Sequence, residues 1–370
     1  MKILFALNHP AHYHLFKNTF KAIQSHGHET MYVIKNKDIL ERLMINDHQP
    51  YTKILENMRT RKKNNTSILY SVATEFISQD YHLYNLVRNN KPDILVGTDV
   101  AITHIGKLIN RPSIVLNEDD YNINKLFCKT TYPFASHVVS PFVCNIGKYS
   151  DKKIPYNGFQ KLAYLHPAVF TPEQEVIRSF NPGLDRFFLI RMVSFTASHD
   201  IDQAGLNMHL LRTMIEHLEK EGKVYLSSEG QVLPEFSKYL LPVDPTQIHH
   251  ILSAADLFIT DSQSMTVEAA VLGTPSIRFN SFAGKISVLE ELEKKYGLTV
   301  GISNTNPKLL FEKIDELVGY PNLRQEFQGK RKKMLTEKIN VSAFFTWFLE
   351  NYPESAKIMK ETPEYQERFK

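Results

Sequence analysis

The chain has 370 residues, 42% of them apolar and 23% charged, and its 44 basic and 40 acidic residues leave a formal net charge of +4. That balance is too mild to indicate a nucleic-acid partner, and two cysteines, Cys128 and Cys144, exclude a disulfide scaffold and suit a reducing cytoplasm. No stretch reaches the 18 or so apolar residues of a membrane span, and the opening KILFAL lacks the long apolar core of a signal peptide.

A single core rarely grows beyond about 250–300 residues, so two domains are expected. KILFALN (2–8) is a continuous apolar run and reads as a buried parallel strand. Pro10 suits a first helical turn, Leu15, Phe16, Thr19, Phe20 and Ile23 recur at helical spacing, and Gly27 closes the helix before ETMYVI starts a second strand. DILVGT (93–98), SIVLN (113–117) and HVVS (137–140) continue the strands, with a helix at 101–109. Residues 51–90 are less periodic, and RTRKKNN (59–65) reads as an exposed basic loop before a longer helix. Short β-branched runs alternating with helices indicate an open parallel sheet.

Pro, Gly and charged residues in 171–185 suit a linker, after which the alternation resumes. RFFLIRM, KVYLSS, DLFITD and PSIRFN read as strands; LNMHLLRTMIEHLEKEG, DPTQIHHILSAA and SMTVEAAVLG read as helices. Further helices are expected near 286–296, 307–317 and 321–335, and FFTWFLENY (344–352) reads as a helix covering a core. The expected division is therefore 1–170, a linker at 171–185, 186–340, and a C-terminal helical segment at 341–370.

Ligands of open parallel sheets sit beyond the carboxyl ends of the strands. The polar residues expected there are Asn8, His9 and His12; Thr98 and Asp99; Asn117, Glu118, Asp119 and Asp120; Arg191, Ser194, His199 and Asp200; Ser227, Ser228 and Glu229; and Asp261, Ser262, Gln263, Ser264 and Thr266. In ITDSQSMTVEAAVLGTPSIRF (259–279) a strand ends in small hydroxyl residues just before a helix whose free N–H groups form an anion site. Ser262, Ser264 and Thr266 can add hydroxyl donors for a diphosphate, and Glu268, one turn in, can accept from ribose hydroxyls. The alternative is that these residues only cap the helix.

His9, His12 and His14 fall within six residues. His9 and His12 can donate to a diphosphate or sugar, or one can act as a general base; the plain alternative is a histidine held by backbone groups. Neighbouring Asp or Cys partners are missing, so no metal site is expected. Glu118, Asp119 and Asp120 crowd like charges, which can raise one carboxyl pKa. Neither G-x-G-x-x-G after the first strand nor a P-loop occurs, which removes the usual dinucleotide and P-loop readings.

Four stretches, ILFALNHPAHYHLFKN, YNGFQKLAYLHPAVFTP, RMVSFTASHD and DSQSMTVEAAVLGTPSIR, carry a resemblance covering residues 3 to about 279. The chain resembles an uncharacterised prokaryotic family known by a domain-of-unknown-function label and regarded as related to GT-B glycosyltransferases and non-hydrolysing UDP-N-acetylglucosamine 2-epimerases. The resemblance implies an α/β, GT-B-like fold, two Rossmann-like domains with parallel sheets facing across a cleft. It implies metal-independent chemistry, no cofactor beyond a UDP-linked nucleotide sugar as co-substrate, and a donor held through Ser262, Ser264, Thr266 and Glu268. The glycine-rich first loop of many GT-B enzymes is replaced by Asn8-His9-Pro10-Ala11-His12, and the arginine-bearing loop of the epimerases is missing.

The expected activity is transfer of a sugar from a nucleotide sugar to an acceptor, with His9, His12 or Asp119 as base and Asn8, Glu118, Arg191 and His199 among the binding residues. A nucleotide-sugar epimerase or hydrolase, and a non-catalytic nucleotide-sugar binding protein, are the alternatives. A lipid-linked or glycan acceptor is compatible with RTRKK touching an anionic membrane face, although the same segment suits a solvated loop. The expected setting is cytoplasmic, in polysaccharide biosynthesis.

Overall fold

The computed structural model describes residues 1–35, 39–55, 65–193, 206–228 and 233–370, excluding the side chains of residues 55 and 65–76. The chain divides into two compact units, Met1–Tyr164 with Ile339–Lys370, and Leu165–Lys338.

In the first unit, seven parallel strands form one sheet: β1 (Lys2–Leu7), β2 (Glu29–Lys35), β3 (Tyr51–Leu55), β4 (Ile94–Gly97), β5 (Ser113–Leu116), β6 (His137–Pro141) and β7 (Lys153–Tyr156). Their order is β3-β2-β1-β4-β5-β6-β7. β3 and β7 are additions to the expected strands; KIPY and YTKIL are edge strands carrying lysine and little alternation, which hides them in the sequence. The strands register closely, Leu4 beside Met31 and Leu95. Leu4, Ala6, Val33 and Leu95 pack with Ile102 and Ile105 of the helix Ala101–Leu108 and with Leu83 and Val87 of the long helix Asn65–Asn90. The helix Pro10–Ser25 turns its Phe16 and Phe20 onto Phe5 and Tyr32, the Phe20 and Tyr32 rings stacking at 3.7 Å.

The C-terminal segment is part of this first unit. Ile339 N donates to Asn157 O at 3.0 Å, Asn157 N donates to Gln366 Oε1 at 2.6 Å, and Phe344 and Phe345 of the helix Val341–Glu350 pack on Tyr156. The aromatic run thus covers the far edge of the sheet, as its composition suggested, through contacts that lie nearly two hundred residues apart in sequence.

The second unit has five parallel strands: β8 (Phe187–Met192), β9 (Lys223–Ser228), β10 (Leu257–Thr260), β11 (Ser276–Phe279) and β12 (Val300–Ile302), in the order β12-β11-β10-β8-β9. The stretch expected as a linker contains the helix Gln174–Phe180, which buries Val176 and Ile177 and sets Phe180 edge-on to Phe187 and Tyr225. That apolar spacing outweighs the proline and glycine cues on either side of it. The basic segment 59–64 lies outside the described residues, and among those described no helix is long and apolar enough to cross a membrane.

Candidate functional site

Each sheet changes direction once. In the first, β2 and β3 lie on one side of β1 and β4 to β7 on the other, so the switch point falls between β1 and β4. Asn8 leaves β1 and Asp99 follows β4. Asn8 Nδ2 donates to Asp99 Oδ2 at 2.5 Å, Gln79 Nε2 donates to the same oxygen at 2.7 Å, and Asp99 Oδ1 caps the next helix by accepting from Ile102 N at 3.2 Å. Asp99 is only 2% exposed, so this carboxylate is held almost wholly by protein donors.

The histidine turn is built on the same edge. His9 is the extended N-cap of the helix Pro10–Ser25, and its Nδ1 accepts from Ala11 N at 3.1 Å. Pro10 supplies no N–H at the first helical position, so the cap acts on the following amide. His12 Nδ1 accepts from Asn8 N at 3.2 Å, and the two rings lie 6.0 Å apart. A neutral imidazole has one N–H, so accepting at Nδ1 assigns the proton to Nε2 in both residues. Protonating Nδ1 would break the backbone bond. The geometry therefore makes His9 and His12 hydrogen-bond donors through Nε2–H and disfavours either as a base. His14 stacks on Tyr164 at 5.4 Å and belongs to the packing.

The acidic cluster follows β5, two strands and about 10 Å from β1 by ordinary strand spacing. Its members have separate tasks. Asn117 donates to Tyr132 Oη at 2.8 Å and accepts from Asp119 N at 3.3 Å, forming the turn. Glu118 is paired with the buried Lys161 and accepts from Gln160 N at 3.0 Å. Asp120 accepts from Asn145 N at 2.8 Å. Asp119 is half-buried, and its carboxyl is raised above the usual range by burial first and by the Glu118 charge second, against Lys161 and an Asn124 hydrogen bond. The direction matches the like-charge argument, with desolvation as the larger cause.

The second sheet switches between β8 and β10. Asp261, after β10, accepts from Val193 N at 2.9 Å, and Asn280 Nδ2, after β11, donates to Asp261 O at 2.9 Å. Burial raises the Asp261 carboxyl, opposed by the Val193 amide and by Arg191. Arg191, near the end of β8, donates from Nη1 to Ser227 Oγ at 2.7 Å.

The helix Gln263–Leu272 starts at this edge. Ser262 is its N-cap, Oγ accepting from Met265 N at 3.3 Å, and its own amide donates to Thr260 Oγ1 at 2.9 Å. Thr266 is fully buried and donates to Ser262 O at 2.6 Å, so its hydroxyl is turned into the helix and away from a ligand-facing run. Ser264 is exposed in the first turn. The capping alternative thus describes Ser262 and Thr266, whereas the first-turn amides of Gln263 and Ser264 keep the geometry of an anion-binding helix start, with no intrahelical acceptors within reach. Glu268 is 6% exposed and pairs with His249 of the helix Ile248–Ala254, Nε2 to Oε1 at 3.3 Å.

Within the first unit the fold brings Asn8, His9 and His12 to one edge with Glu118 and Asp119; within the second it does the same for Arg191, Ser262 and Ser264. His199, with Ser194, Asp200 and Glu229, lies outside the described residues. Sequence reasoning missed Gln79, Lys161 and His249. A lysine inside the apolar run GFQKLAYL and a histidine at helical spacing within IHHILSA were the available signals. Among the described residues no three His, Cys, Asp or Glu side chains gather into a group that could hold a metal ion.

Comparison with known proteins gives a family and a fold. The model of the family described as "Protein of unknown function (DUF354)" matches residues 1–291. No curated protein matches the chain. Among solved structures, the S. aureus MnaA–UDP co-structure superposes with a TM-score of 0.68 at 14% identity over 97% of each chain. The UDP-GlcNAc 2-epimerase from Neisseria meningitidis bound to UDP-GlcNAc gives 0.65 at 14% identity, over 94% of this chain and 99% of that one. CalG4, the calicheamicin glycosyltransferase, gives 0.57 at 12% identity, over 95% and 99%. At these identities the likeness establishes the fold: α/β of the GT-B type, with two Rossmann-like units.

Proposed function

Because the chain belongs to the DUF354 family, which is related to the GT-B superfamily, we propose that it binds a nucleotide sugar and transfers the sugar to an acceptor hydroxyl. The observation that carries this reading is the start of the helix Gln263–Leu272 at the switch point of the second sheet, the position at which open α/β sheets take phosphates. The amides of Gln263 and Ser264 would receive the diphosphate, with Arg191 adding positive charge at the same edge. UDP is the expected nucleotide, in line with the UDP and UDP-GlcNAc named for the S. aureus and Neisseria structures.

In the first unit Asp119 is the preferred base. Its half-buried, upward-shifted carboxylate is a better proton acceptor than an ordinary one, and the Nδ1 bonds of His9 and His12 disqualify them from that step. The acceptor oxygen attacks the anomeric carbon as a base takes its proton, a part that Asp119 suits. The bond from that carbon to the phosphate oxygen breaks, and the electron pair leaves with the diphosphate, a charge that amides at a helix start suit. Nε2–H of His9 and His12 would donate to sugar or acceptor oxygens. No metal or cofactor takes part in this scheme, and the acceptor is a lipid-linked or free glycan.

A second reading, a nucleotide-sugar epimerase, is favoured by the epimerase with a TM-score of 0.65. Incubating the protein with UDP-sugars, with and without a glycan or polyprenyl-phosphate-sugar acceptor, separates the readings. Acceptor-dependent UDP release supports transfer. Conversion of the UDP-sugar without UDP release replaces it with epimerisation.

A further inference from the structure

Arg278 on β11 is fully buried, yet none of its three guanidinium nitrogens has a hydrogen-bond partner among the described residues. A guanidinium offers five N–H donors, and leaving one both buried and unpaired is strongly unfavourable. Its position is specific. Ser227, Arg191, Thr260, Arg278 and Gly301 are register partners across all five strands, so they form one polar row on one face of the sheet near its carboxyl edge.

The charges facing Arg278 are those of Glu293 and Glu290. Glu290 binds Lys294 through Oε2 at 2.6 Å, but its Oε1 is buried without a partner. Both groups reach Gly301 closely. A Cβ there would stand 2.9 Å from Arg278 Nη2 and 2.8 Å from Glu293 Oε2, so one of the two side chains would have to shift. Burial pulls the Arg278 pKa down and pushes the Glu293 carboxyl up, the latter opposed by a hydrogen bond from the Gly301 amide. The loop 281–285 lies above, with Ala283 Cβ 3.7 Å from the same point and Phe282 and Gly284 exposed. Asn280, at its root, is bonded to Asp261 O beside the start of the Gln263–Leu272 helix.

We propose that Arg278, Glu290 and Glu293 form a polar subsite that takes hydroxyl groups of the donor sugar when the loop 281–285 is displaced. This inference rests on the nucleotide-sugar reading. The chemistry of the orphans selects the ligand class. A second anion would meet two glutamates, a cation would meet the guanidinium, and an apolar group would leave both unsatisfied. A hydroxyl accepts from Arg278 through its oxygen and donates its proton to a carboxylate, so a polyol answers both at once. The adjoining phosphate turn puts the sugar end of a nucleotide sugar beside it.

The test is calorimetric titration of UDP, UDP-glucose and UDP-N-acetylglucosamine into the full chain, wild type, Arg278→Met and Gly301→Ala. Methionine fills much of the arginine volume and removes a buried charge, a change that folds commonly tolerate; Gly301→Ala keeps the arginine's charge and crowds its Nη2 and the Glu293 carboxylate. The expected result is that the wild type binds one UDP-sugar at least tenfold more tightly than UDP, and that both variants keep UDP affinity within twofold while losing that advantage. An unchanged advantage in both variants would mean that Arg278 meets ordered water only. Equal weakening of UDP and UDP-sugar would mean a structural role. Either overturns the subsite. A wild type that binds UDP and every UDP-sugar alike overturns the subsite and leaves the nucleotide reading standing; one that binds neither overturns both.

Discussion

Asn8 and Asp99, ninety-one residues apart, share a 2.5 Å hydrogen bond that ties the carboxyl end of β1 to that of β4 at the switch point of the first sheet. Gln79 and the Ile102 amide complete the carboxylate's partners. Asp99→Ala removes the acceptor for all three and leaves the Gln79 amide buried. We expect a loss of about 2–4 kcal/mol of unfolding free energy in urea. A change below 0.5 kcal/mol would mean the network contributes nothing to the edge.

Asp119 is predicted to trade stability for reactivity. A carboxyl whose pKa is raised in the fold binds its proton more tightly there than in the unfolded chain. Its contribution therefore favours the fold at low pH and declines as pH rises through the shifted value. At neutral pH, Asp119→Asn should leave the protein as stable as the wild type or more so, while the rate of transfer falls about 10²–10⁴-fold. Denaturation curves at pH 4 and 7, beside turnover, check both halves. A destabilised but active variant would remove Asp119 from the mechanism.

Glu118 and Lys161 set that environment. Lys161 is 4% exposed and its charge holds the Asp119 pKa down. Lys161→Met leaves Glu118 without its cation and should cost about 3–5 kcal/mol. In the protein that still folds, the acid limb of the pH–rate profile should move to higher pH. An unmoved limb would show that another group titrates.

His137 supplies an acid-sensitive element remote from the proposed chemistry. Burial, helped by Lys360 and Lys152, lowers its pKa from 6.5 to about 4, and its Nδ1 lies 3.1 Å from Tyr352 Oη. Between those two values the unfolded chain binds the proton that the fold refuses. Stability attributable to His137 is therefore complete above about pH 6.5 and declines as pH falls toward 4, by up to about 3 kcal/mol. His137→Phe should flatten that slope in urea midpoints measured from pH 7 to 4.5.

Much of the strand and helix order was legible because buried parallel strands are short apolar runs and the intervening helices carry 3.6-residue periodicity. KILFAL and LFIT became β1 and β10 almost residue for residue. The candidate site was half legible. Carboxyl-edge position, which follows from strand order, was readable for Asn8, Asp119, Ser264 and Arg191, and the structure places each at such an edge. Whether a polar side chain faces outward or inward is decided by its partners, and Thr266, Glu268 and His9 are each engaged by their own helix or the preceding one. Gly273 ends the helix at φ 71°, and its surroundings, with Gln328 and Arg331 donating to the last carbonyls, are closed to a Cβ. The docking of 339–370 on the first unit was illegible because periodicity shows a buried face but not what it meets.

The proposed transfer depends on a nucleoside diphosphate binding at the start of the Gln263–Leu272 helix. Glu268 is a poor probe, since removing one member of its buried pair with His249 endangers the fold. Ser264 is exposed in the first helical turn, where a carboxylate favours the helix, so Ser264→Glu should fold and repel an anion from the same amides. The measurement is calorimetric titration of UDP into wild type and Ser264→Glu. Micromolar binding to the wild type and at least thirtyfold weaker binding to the variant are expected. Equal affinity in the two, or no binding of UDP to the wild type, would rule that site out.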